Sequence, residues 1–62
     1  MRFVLEVDLE AGALAGGDRA AELGRILRYW GGSMKQVELS PGARQDLYDS
    51  GYAPVGSWRI EV

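Results

Sequence analysis

The chain has 62 residues, of which 47% are apolar, 26% charged and 10% aromatic, the composition of a folded chain rather than a disordered one. That length allows one domain (1–62) with one small core; without cysteine or histidine it has no disulfide and lacks the usual zinc ligands, leaving tight packing or self-association as supports. Seven basic against nine acidic residues give a net charge of -2, which argues against a general grip on nucleic-acid backbones.

The first segment, Arg2 to Glu10, alternates. Phe3, Leu5, Val7 and Leu9 fall on one side, and Arg2, Glu6, Asp8 and Glu10 on the other, with Val4 alone interrupting the polar face. This is the pattern of a half-buried strand. It is neither a signal nor a transit peptide, and no apolar stretch of the chain nears the roughly 18–20 residues of a membrane span, so a soluble cytoplasmic protein is expected.

Ala11 to Gly17 is a small-residue, glycine-rich connection, expected to add little to the core. Gly12 and Gly17 have the separation of the outer glycines of a phosphate-binding loop. The next residues are Asp18 and Arg19, however, where such a loop needs Lys followed by Ser or Thr. A carboxylate there repels an anion and caps the N–H groups the anion would use, so Asp18 reads as a helix N-cap.

From Arg19 to Trp30, the residues Ala20, Leu23, Leu27 and Trp30 recur at helical spacing with Ile26 beside them, while Glu22, Arg25 and Tyr29 lie opposite. Gly31-Gly32 is expected to stop the helix. Gln36 to Ser40 alternates briefly before Pro41-Gly42, which marks a turn or a bulge. Leu47-Tyr48 can pair with the last strand through Asp49-Ser50-Gly51. In that strand Trp58, Ile60 and Val62 face one way and Ser57, Arg59 and Glu61 the other, with Pro54 and Gly56 near its start. The order is β-α-β-β: an α+β fold with one amphipathic helix on a small, mainly antiparallel sheet.

Little of this suggests catalysis. Asp46 and Asp49 flank a turn and are expected to be solvated, with no spacing that resembles a calcium loop. The four serines have no histidine as base, and Lys35, the only lysine, falls in a connecting segment. The reading is therefore non-catalytic, with no cofactor and no metal.

Aromatic residues interleaved with arginines point instead to contact. Trp30 and Trp58 fall on apolar faces and read as core; Tyr29, Tyr48 and Tyr52 read as surface. Tyrosine and arginine are enriched at protein–protein hot spots, and the acidic balance favours a protein partner. The expected contact residues are Arg44, Tyr48, Tyr52 and Arg59. The alternative is a nucleic-acid-binding module using Arg25, Arg28, Tyr29 and Tyr52. One helix covers one sheet face only, so a homodimer is expected, either over the second face, where Val4 and Val55 would lie among polar residues, or edge to edge.

Ile26-Leu27-Arg28, then Leu47-x-Asp49, then Val55-Gly56-x-Trp58-x-Ile60 resemble a group of small uncharacterised proteins common in phage and actinobacterial genomes. Their ending is similar to L-x-D-x-N-G-N-x-V-G-x-W-x-I. The spacing from Leu47 to Val55 and Trp58 agrees, but Gly51-Tyr52-Ala53 stands in place of N-G-N, which implies a different turn. The group has no established activity. The resemblance implies the β-α-β-β order, transfers no functional residue, and suggests a phage or mobile-element accessory protein that binds a host protein.

Overall fold

A computed structural model describes residues 1–62. Strand β1 (Arg2–Val7) leads through a 3-10 turn (Gly12–Ala15) to helix α1 (Arg19–Ser33), which tightens into a second 3-10 turn (Met34–Gln36). Strands β2 (Arg44–Tyr48) and β3 (Pro54–Glu61) form a hairpin. The sheet is antiparallel with order β1-β3-β2, so the last strand is central and the other two are edges. The expected α+β, β-α-β-β arrangement is the observed one.

Register fixes the two faces. Phe3 pairs with Ile60, Leu5 with Trp58, and Val7 with Gly56, and these side chains lie towards the helix. Leu14, Ile26, Leu47, Val55, Trp58 and Ile60 form the buried core, with Leu5, Val7, Leu23, Trp30 and Met34 packed around it. Trp58 is its largest member and sits mid-strand on the central strand, where both edges can reach it.

Several expectations are corrected. β1 ends at Val7 rather than Glu10, because Asp8 folds the chain into a turn: its carboxylate accepts the Glu10 N–H (2.9 Å) and its carbonyl the Ala11 N–H (3.1 Å). Leu9 is left exposed. The glycine-rich connection does contribute to the core, since Leu14 is 0% exposed. A single leucine in a glycine–alanine run has no period to betray it.

Third, α1 does not stop at Gly31-Gly32. Asp18 does cap its start, accepting the Ala21 N–H, but at the other end the helix runs to Ser33. Met34, one turn beyond Trp30, packs on the core and holds the last turn against a glycine penalty of about 1 kcal/mol per residue. The buried stripe is Leu23, Ile26 and Trp30, centred on Ile26; Ala20 and Leu27 are exposed. Gln36 to Ser40 forms no strand either. Ser40 to Ala43 is a turn, closed by the Ala43 N–H on the Ser40 carbonyl, with Gly42 at φ +90.

Fourth, Val55 belongs to the core and not to the second face. Leu47 pairs with Gly56 but Tyr48 with Pro54, so Val55 is an extra residue in a β-bulge, turned inward. Gly56 permits the tight crossing beside it: a Cβ there would overlap the Glu6 carbonyl oxygen and stand 2.9 Å from the Val7 Cα.

Candidate protein-contact groove

The uncovered sheet face carries charge, not an apolar patch. Arg59, on the central strand, bonds Glu6 on one side through Nη1 and Glu61 through Nε (2.8 Å). Arg2 also reaches Glu61 (3.1 Å), and Arg44 pairs with Asp46 (3.2 Å). The carboxylates, Glu6 foremost, raise the Arg59 pKa, while Arg2 and then Arg59 hold Glu61 below its ordinary value. Each of these charges has an ion-pair partner, although Arg44 and Arg59 stand directly opposite one another, and only Val4 among the residues of the face is apolar.

The concave feature lies at the other side of β2. A groove of about 360 Å³ runs between α1 and that edge, lined by Arg25, Ile26, Tyr29 and Trp30 from the helix, Gln45, Asp46 and Tyr48 from the strand, and Asp49 and Tyr52 from the hairpin turn. The Tyr48 and Tyr52 rings stack, with centroids 4.6 Å apart and planes at 13°. Across from them, Tyr29 meets the edge of Trp30 at 5.4 Å, and Trp30 meets Trp58 at 5.7 Å. The groove floor is thus joined to the core while its rim is tyrosine.

Asp49 builds the closed end of this groove. It is only 7% exposed, and its carboxylate accepts three backbone N–H groups: Ala13 (2.8 Å), Gly51 (2.9 Å) and Ala53 (2.8 Å). Those bonds, Ala53 first and Ala13 next, hold its pKa below the ordinary aspartate value against the opposing effect of burial. The expectation of a solvated Asp49 is therefore wrong. Gly12, at φ +52, lies so close that a Cβ would overlap Asp49 Oδ2. Glu22 completes the joint: it accepts from Arg25 (3.2 Å) and from the Ser50 N–H (2.6 Å), and both bonds lower its pKa. Arg25 donates as well to the Tyr48 carbonyl (3.2 Å). Turn, helix and the Gly12–Ala15 segment are locked together by two carboxylates.

The predicted contact residues fall into two places. Tyr48 and Tyr52 meet at the groove, whereas Arg44 and Arg59 sit side by side on the charged face, each already ion-paired. Of the alternative set, Arg25, Tyr29 and Tyr52 all line the groove, but Arg28 does not; its guanidinium lies over Gly24 on the exposed helix surface. The sequence does not reveal the burial of Asp49, because one of its three partners, Ala13, lies 36 residues away. Chemically the groove offers aromatic faces, hydrogen-bond donors and the Asp46 carboxylate. Asp49 is ionised with its oxygens occupied, and no three Asp, Glu, His or Cys side chains gather into a metal site. No helix is long and apolar enough to cross a membrane. Comparison with known protein families, with curated proteins and with solved structures finds no match for this chain.

Proposed function

We propose that this chain is a small, non-catalytic interaction protein of the cytoplasm that grips a partner protein in the α1–β2 groove, with Tyr48, Tyr52 and Tyr29 as its anchors. One observation carries the reading. Tyr52 is 78% exposed and held at φ 66, the left-handed region that costs a non-glycine residue about 1 kcal/mol or more. It stands where the resembling pattern has glycine, a residue that takes that conformation freely. A strained, exposed aromatic at the mouth of an apolar groove contributes little to folding beyond its stack on Tyr48. Its natural use is recognition, where tyrosine supplies large, rigid contact area. The resemblance to phage and mobile-element proteins suggests a host protein as the partner and an accessory role for the complex.

The test is affinity capture from a bacterial lysate with the wild-type chain and with Tyr52→Gly, which relieves the backbone while removing the ring. A stoichiometric partner held by the wild type and lost by the variant supports the groove. A partner retained equally by both overturns it. Nucleic acid is the second reading, favoured by Arg25, Tyr29 and Tyr52 lining one groove. It is opposed by Asp46 in the same wall and by the bonds that already engage Arg25. Titration with single-stranded DNA separates the two: tight, steeply salt-dependent binding supports the nucleic-acid reading, and no binding at low salt removes it.

A further inference from the structure

We infer that the chain self-associates through its β1 edge, two copies pairing antiparallel about a two-fold axis at Val4 to make one continuous sheet. This goes beyond the groove, which lies on the opposite edge and stays open in the pair.

Backbone phase comes first. The Asp8 N–H bonds the Val55 carbonyl, and with the β1–β3 register this sets Arg2, Val4 and Glu6 as the residues bonded to β3. The alternation of an antiparallel ladder then leaves the N–H and C=O groups of Phe3, Leu5 and Val7 pointing outward with no strand to receive them. Natural edges of this kind are usually blunted by proline, a bulge, an inward charge, a covering loop or outward charges, and of the last β1 has Arg2 and Glu6, one of each sign. β1 has none of the first three, and no further strand lies beside it. Phe3 is 46% exposed although it lies on the helix side of the sheet.

Side chains select both partner and register. With Val4 on the axis, Phe3 stands opposite the partner's Leu5, and each such pair exchanges two backbone hydrogen bonds using the outward groups. On the charged face Val4 meets the partner's Val4. Arg2, which within the chain bonds Glu61, meets the partner's Glu6, which within its own chain bonds Arg59, so the pairing extends these ion pairs into one network. Every apolar residue of the stretch faces an apolar one, and every charge its opposite. The next allowed register, with Leu5 on the axis, would set Val4 against Glu6. A pairing shifted by a single residue would turn the two helices to opposite faces. The same β1 thus complements itself, as a two-fold interface requires.

A single introduced cysteine tests this cleanly, because the chain has none of its own. Residues on the axis of a non-hydrogen-bonded antiparallel pair stand about 4.5 Å apart at Cα, within disulfide reach. Mild oxidation of Val4→Cys should give a covalent dimer, and Asp46→Cys on the β2 edge should not. Sedimentation of the unmodified chain should show a concentration-dependent dimer. Arg2→Glu should weaken it on the order of tenfold by facing like charges, and Arg2→Glu combined with Glu6→Arg should restore it, with circular dichroism reporting the fold of each. Monomer mass at every concentration to the millimolar range, or cross-linking at Asp46→Cys rather than Val4→Cys, overturns the proposal.

Discussion

The two edges of this sheet are built on opposite principles. β1 is six residues of unbroken pairing with alternating faces and no irregularity; β2 is five residues with a bulge opposite its end. β2's neighbourhood is crowded with side-chain-to-backbone bonds from Asp49, Glu22 and Arg25. β1 has only Asp8, which ends it. A regular edge offers main-chain groups to another strand, whereas an irregular one displays side chains at angles a flat strand cannot reach. The difference teaches that 62 residues can carry two unlike surfaces without a second domain, because one central strand serves both.

The comparison is most severely broken at Gly56, where β1 crosses closest to β3. Gly56→Ala should destabilise by about 3 kcal/mol or more, or prevent folding, because the added methyl meets backbone that cannot move aside. Urea unfolding followed by tryptophan fluorescence reads it. Leu14→Ala comes next, with an expected loss of about 2–5 kcal/mol from an emptied site in the buried core. A loss below about 1 kcal/mol would show that the Gly12–Ala15 segment is not the anchor described.

On the β2 side the decisive group titrates. Asp49, Glu22 and Glu61 all have folded-state pKa values below ordinary ones, so the stability they give is present above the ordinary carboxylate range and is lost as pH falls through their folded values. Thermal melts should therefore be level from about pH 7 to 5 and fall below about pH 4. Asp49→Asn should lower the melting temperature at neutral pH and flatten that acid limb; an unchanged limb would assign the acid sensitivity to Glu22 and Glu61. The smallest effect is expected from Tyr52→Gly. Loss of a stacked ring and relief of a left-handed tyrosine nearly offset, leaving stability within about 1 kcal/mol of wild type.

These residues also mark where the sequence is informative. β1, the hairpin and the Asp18 cap follow from two-residue alternation, turn chemistry and helix capping, all local, and all three form, although β1 stops three residues early at Val7 and the hairpin carries a bulge at Val55. The helix end does not, since Met34 acts through packing that no local propensity contains. Leu14 and Asp49 fail together for one reason: each is placed by the other's segment, across the Ala13–Asp49 bond. The groove is legible only in part. Tyr48 and Tyr52 are recognisable as exposed aromatics, but their stack depends on a left-handed residue where a tyrosine is not expected. Composition draws Arg44 and Arg59 to the same site, but register places them on another face.

Phe3, Trp58, Trp30 and Tyr29 form an unbroken run of rings, with centroids 5.5, 5.7 and 5.4 Å apart, from the β1 edge to the groove. Trp58 is 1% exposed and its indole N–H is buried without an acceptor, so a blue-shifted emission that moves to the red on unfolding is the expected fluorescence signature of the native core. Because this run of rings touches both edges, pairing at β1 or occupancy of the groove should each change the environment of a ring that contacts a tryptophan, and the unlabelled fluorescence is expected to respond to both.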